Sequence, residues 1–116
     1  MIKSLSLELI REIDCKDMQN IKLHASSYNK LYQINFDRVL NFNYSIEQDT
    51  DLSSDGLDII DINYIYDFPT KKSLMYYSYS SDKSLLKKKL HYLFIYGELE
   101  LVIISKEMTI LKLGDL

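Results

Sequence analysis

Catalysis and metal binding call for histidine, cysteine or convergent carboxylates, and this chain has two histidines, His24 and His91, and one cysteine, Cys15. Neither histidine stands in an HxxH or HExxH spacing, the arrangement that brings two imidazoles to one metal. A nucleophile set of Cys15, a histidine and an aspartate can be drawn on paper. However, Asp14 and Asp17 flank the thiol in the string DCKD, and negative neighbours oppose the thiolate that would attack. The string DTDLSSDG resembles a calcium loop at Asp49 and Asp51 only. Ser53 takes the fifth position, Ser54 the place of the glycine and Ile60 the place of the closing glutamate, so it reads as a solvated acidic loop, with a weak divalent site as the alternative. Gly56, Gly97 and Gly114 are isolated and form no phosphate cradle. A small hydrolase built on scattered carboxylates has no recognisable frame here. The expectation is a protein that is not an enzyme and that holds no cofactor and no metal.

The charge distribution says more. From Val39 to Thr70 there is no lysine or arginine, while Glu47, Asp49, Asp51, Asp55, Asp58, Asp61 and Asp67 are all present. From Lys71 to His91 the sign reverses: Lys71, Lys72, Lys83, Lys87, Lys88 and Lys89 face a single acid, Asp82. A net charge of -3 conceals this separation, which bears on binding rather than on fold.

The elements that must position these charges are mostly strands. A length of 116 residues fits one domain, residues 1–116, with a core of its own. Ten tyrosines and no tryptophan lean the composition toward pleated, half-buried positions. One cysteine permits no internal disulfide, the N-terminus lacks a secretory pattern, and no apolar run approaches the ~18 residues of a membrane span. A cytoplasmic protein is expected.

The run from Leu90 to Ile104 reads as a hairpin about a two-residue turn at Gly97-Glu98, pairing Tyr96 with Leu99, Phe94 with Leu101 and Tyr92 with Ile103. Apolar residues on both of its sides predict a hairpin that is interior to its sheet or covered on both sides. Ser105-Lys106-Glu107 is read as a break before a last strand, Met108 to Leu113. Upstream, Leu31 to Phe36 and Val39 to Ile46 alternate as a second hairpin about Asp37-Arg38, preceded by a short strand, Ile21 to Ala25. Leu57 to Tyr66 reads as a strand with a bulge or an edge position, because Asp58 and Asp61 differ in parity. Ser4 to Asp14 fits both periods and is read as a helix capped by Ser4 or Ser6. Pro69 predicts a short helix from Lys71 to Tyr77. The sum is an α+β fold, mostly antiparallel β, rich in hairpins, with one or two short helices.

An acidic loop from Gln48 to Gly56 between strands would attract a basic protein and reject acidic competitors. The residues expected to bind are Glu47, Asp49, Asp51, Asp55, Asp58 and Asp61, with Tyr64 and Tyr66 as apolar anchors. The alternative places function on the segment 71–92, whose lysines are interleaved with Tyr76, Tyr77 and Tyr79, as a small nucleic-acid-binding module. Against it, the only arginines are Arg11 and Arg38. A third possibility is that the two charge blocks neutralise each other within the fold.

Between Lys30 and Leu113, Ile34, Phe36, Val39 and Phe42 in one run, and His91, Tyr92, Glu98 and Glu100 in a later one, give the chain a resemblance to small bacterial immunity proteins. These neutralise polymorphic or contact-delivered toxins. The resemblance implies an inhibitor that occludes one cognate toxin, typically a nuclease. It assigns no binding residues, because such interfaces differ between relatives.

Overall fold

The computed structural model describes residues 7–17, 19–46, 56–70, 72 and 87–115. They form six strands: β1 (Leu9–Asp17), β2 (Asn20–Ser27), β3 (Lys30–Ile46), β4 (Leu57–Asp67), β5 (Leu90–Gly97) and β6 (Leu99–Asp115). The strands close a barrel in the order β1-β2-β3-β6-β5-β4, and every neighbouring pair is antiparallel. The mostly antiparallel β part of the expected fold class is therefore what the described residues adopt, while they contain almost no helix to make it α+β.

A long ribbon of β3 and β6 organises the barrel, paired from Lys30↔Asp115 to Ile46↔Leu99. β2 lies beside β3 as far as Asp37, whereas β5 lies beside β6 only from Leu101 to Ser105. The ribbon thus has β2 as its neighbour at one end and β5 at the other, and it bends between the two stretches. Arg38 sits at a φ of 54°, the register shifts between Val39 and Asn41, and fully buried Ser105 donates its hydroxyl to the Glu107 carbonyl at 3.0 Å. Closure on the far side is brief: β1 meets β4 at Leu9↔Asp58 and Ile10↔Leu57, and the Ile59 N–H donates to the Glu8 carbonyl at 2.8 Å.

Alternation fills the interior. Ile21 and Leu23 of β2, Ile34 and Phe36 of β3, Leu93 and Ile95 of β5, and Leu101 and Ile103 of β6 are almost wholly buried there. A second cluster of Leu90, Tyr92 and Ile104 is buried on the outer face, with Leu40, Phe94 and Val102 against it. The hairpin is interior to the sheet on its β5 side, between β4 and β6, and its outer face is buried at Leu90, Tyr92 and Ile104 while Tyr96 stays exposed.

Several expectations need correction. Residues Leu9–Asp17 are strand, not helix. The register shifts between Ile10 and Glu12, so the bulge lets Ile10 and Ile13 share the interior at a helix-like spacing of three. Asp37-Arg38 is no turn: β3 runs through it unbroken, and the left-handed Arg38 marks the bend. The turn before β3 is Tyr28-Asn29, with Tyr28 at a φ of 55°. Ser105 to Glu107 likewise lies inside one continuous strand. The β5–β6 hairpin pairs one residue away from the expected register, as Ile95↔Leu101 and Leu93↔Ile103. Gly97 is drawn out of the expected turn because it lies opposite Ile59 on β4. The bulge expected in β4 is present between Ile59 and Asp61. The expected cap at Ser4 or Ser6 and the helix from Lys71 to Tyr77, Lys72 apart, fall outside the described residues.

Candidate protein-binding surface

The bulge decides what β4 presents. Leu57, Ile59, Ile62 and Tyr64 pack toward the interior, so Asp58 and Asp61 are turned outward. Ile60 takes the extra position and is 73% exposed. Opposite Asp61 stands Tyr96, which is also largely exposed. The tip of the next hairpin is tied to the same spot. The Glu98 N–H donates to the Asp58 carbonyl at 3.0 Å, and the Asp58 N–H donates to Glu98 Oε1 at 2.8 Å. Gly97 is required at this junction, since a Cβ there would lie 2.2 Å from the Asp58 carbonyl oxygen. Asp58, Asp61, Glu98 and the exposed Glu100 therefore stand around two apolar side chains, Ile60 and Tyr96.

Among the described residues, no ion pair joins Asp58, Asp61 or Asp67 to Lys72, Lys87, Lys88 or Lys89. Asp67 instead accepts the Phe68 N–H at 2.7 Å. Asp58 and Asp61 are both exposed.

Tyr64 and Tyr66 lie apart from the acids, turned to the side of β4 opposite Asp61 and engaged with His91. Tyr66 stacks on His91 with ring centroids 4.3 Å apart. The Tyr64 hydroxyl is 2.6 Å from His91 Nδ1. Burial moves His91 below the ordinary histidine value, which favours the neutral ring. Burial, and secondarily the Tyr66 phenol, moves Tyr64 up, so it keeps its phenol proton. Lys89 Nζ lies 5.6 Å from the centroid of Tyr66 and 5.7 Å from that of Phe68.

Glu47, Asp49, Asp51 and Asp55, and with them most of the calcium-like string, fall outside the described residues. The residues that bound this acidic segment are described. Ile46 and Gly56 both line a pocket of about 270 Å³ at one end of the barrel, with Ile10, Ile13, Cys15, Tyr44 and Leu57. A more open pocket of about 520 Å³ lies on the outer face of β4 and β5 beside Ile65, Phe68, Tyr92 and Phe94.

The remaining candidates for chemistry have structural partners. His24 bridges Glu12 at 3.2 Å and Gln33 at 3.0 Å across β1, β2 and β3. Asn20 donates to Asp37 at the end of the same sheet. Among the described residues, no three His, Cys, Asp or Glu side chains form a metal-ligand group, and no helix is long and apolar enough to cross a membrane.

Reading the sequence missed Ile60, Tyr96, Glu98 and Glu100 as members of the acidic face. The bulge in β4 was legible, but which side chain it would push outward was not. No family model matches the chain, and no curated protein matches it.

Proposed function

We propose that this chain is a toxin-neutralising protein of the immunity type. It binds a cognate toxin with a basic active-site cleft, a nuclease by preference, and acts by covering that cleft in the cytoplasm. The observation that carries this reading is the outward set Asp58, Asp61, Glu98 and Glu100 around exposed Ile60 and Tyr96, with no described lysine paired to its aspartates. In the sequence, the acidic segment containing Glu47, Asp49, Asp51 and Asp55 lies between Ile46 and Gly56, which share a pocket with Leu57 at the start of β4. A nuclease cleft is cationic because it holds phosphates, and fixed carboxylates compete for the same cations. Occlusion needs no bond to form or break, so the protein is not an enzyme in this reading. A standard interface takes about 800 Å² from each partner, roughly a tenth of this protein's 7345 Å² surface. β4 and the hairpin tip can supply a large part of that.

The test begins with co-purification from the native host and mass spectrometry of the bound protein. Association with that protein is then measured at low and high salt for a variant carrying Asp58→Asn, Asp61→Asn and Glu98→Gln. The glutamine keeps the acceptor for the Asp58 N–H. A slower on-rate and a shallower salt dependence are expected. An on-rate and salt slope equal to those of the parent would remove this face from the mechanism.

A second reading, nucleic-acid binding by the segment 71–92, is favoured by one feature: Lys89 set against the rings of Tyr66 and Phe68 beside stacked His91. A gel shift with single- and double-stranded probes separates the two readings.

A further inference from the structure

One side of β4 is open. β1 lies beside it only at Leu9↔Asp58 and Ile10↔Leu57, with the Ile59 N–H donating to the Glu8 carbonyl at 2.8 Å. From Ile60 to Asp67 the one described strand neighbour is β5. A strand with a single neighbour presents every second N–H and C=O to its open side. β6 is open as well from Lys106 onward, since β5 leaves it at Ser105. That stretch is guarded: it carries Lys106 and Lys112 and a register shift opposite Leu31 and Tyr32, and lysines and bulges keep an edge from pairing. The open stretch of β4 has no lysine or arginine. Its bulge lies at the start, between Ile59 and Asp61, so Ile62 to Tyr66 run in unbroken register with β5.

We infer that a basic, extended segment of a protein partner adds to this open side as a further strand, antiparallel to β4. The occupant's chemistry follows from the charge along the edge. Exposed Asp58 and Asp61 stand at its start beside Glu98, and no ion pair among the described residues engages either aspartate. Lys89 stands at its finish, over the rings of Tyr66 and Phe68. The added strand is therefore basic where it passes Asp61 and uncharged where it passes Tyr66. Ile65 is 42% exposed on one face, and half-buried Ile62 and Tyr64 stand on the other, so the remaining residues of the strand are apolar or small. Main-chain hydrogen bonds hold such a segment, and alternate side chains select it. The inference rests on the proposed inhibitor reading and names the part of the partner that meets the acidic face.

The probe is a capped heptapeptide, Thr-Val-Thr-Val-Lys-Val-Lys, added to the full chain at low and high salt. Amide hydrogen exchange followed by NMR reads the backbone, and calorimetry reads the affinity. In the free chain, the amides on the open side of β4 between Ile62 and Tyr66 should exchange fast. The peptide should bind, more tightly at low salt, and slow every second amide of that stretch. Methylating one alternate set of the peptide's backbone nitrogens should weaken binding about tenfold. Methylating the other set should change it little, because only one edge of the added strand faces β4. Ile65→Lys, at an exposed position, should abolish binding while leaving the chain folded. Equal effects of the two methylated sets, or protection without the alternation, would overturn strand addition. So would open-side amides already protected in the free chain, or no binding at all. None of these results touches the inhibitor reading, which the on-rate of the Asp58, Asp61 and Glu98 variant decides separately.

Discussion

The two ends of β4 use charge in opposite ways. At its start, Asp58 and Asp61 point to solvent beside Glu98, and no described cation answers them. At its finish, the charged and polar groups answer one another: Lys89 lies over Tyr66 and Phe68, Tyr66 stacks on His91, and Tyr64 is hydrogen-bonded to His91. One strand therefore carries a surface suited to a partner at one end and a self-contained cluster at the other. The contrast bears on the choice between two functions, because a group already held by its neighbours gains less from a new ligand.

The sharpest way to break the acidic end is Gly97→Ala. The new methyl would meet the Asp58 carbonyl oxygen at 2.2 Å and the Ile60 nitrogen at 2.9 Å, both backbone atoms that cannot swing aside. A loss of about 1–3 kcal/mol is expected, as for other overpacked sites. In a domain of this size that lowers the melting temperature by roughly 4–8 °C per kcal/mol, readable by thermal denaturation. The same variant should weaken partner binding, since the clash separates Glu98 from Asp58. Full stability in Gly97→Ala would mean that the hairpin tip does not dock on β4.

Asp58→Asn with Asp61→Asn isolates charge from shape. Both side chains are exposed, so stability should change by less than about 0.5 kcal/mol. The association rate with a basic partner should fall about tenfold at low salt and much less at high salt. Stopped-flow measurement at two salt concentrations checks both halves. A rate lost equally at both concentrations would point to contact geometry instead of steering.

These two ends were not equally legible in the sequence. The strands from Ile21, Leu31, Leu57, Leu90 and Leu99 follow from alternation, because a half-buried strand needs a period of two. What alternation does not reveal is where the period slips. A bulge beside Arg11 gave Ile10 and Ile13 a helical spacing, and the bend at Arg38 looked like a turn. The hairpin register was misread because Gly97 answers to Ile59 of β4, 38 residues earlier in sequence, and not to the local turn. The acids of the site were plain as composition. Their company was not: Tyr64 and Tyr66 were expected beside Asp61, and the pleat turns them to the opposite side, leaving Ile60 and Tyr96 in that place.

The other end of β4 can be examined through pH. Burial holds His91 below its ordinary value of 6.5, so the folded protein binds fewer protons than the unfolded chain in the interval just below that value. The stability present above pH 6.5 should decline as pH falls through that interval, and then level off once the folded imidazole is also protonated. His91→Asn should flatten the difference between melting temperatures at pH 7.5 and pH 5.5. Tyr64→Phe removes the phenol hydroxyl that is hydrogen-bonded to His91 at 2.6 Å and should cost about 0.5–1.5 kcal/mol at pH 7.5. If the His91 variant keeps the parent's pH slope, the titrating group lies elsewhere.

Lys89→Met gives the smallest expected effect and the finest discrimination. Methionine keeps the length and the apolar stem but removes the ammonium that faces the rings of Tyr66 and Phe68. An exposed cation–π contact is worth about 0.5–1 kcal/mol, so a stability loss within that range is expected, measurable by urea denaturation. If Lys89 is occupied with its own aromatic neighbours, the substitution leaves partner association at the acidic end unchanged. If instead Lys89 is the cationic part of a base-stacking platform, the variant loses affinity for single-stranded probes and the parent shows a clear shift with them. A parent that binds such probes and a Lys89→Met variant that does not would reverse the roles assigned to the two ends of β4.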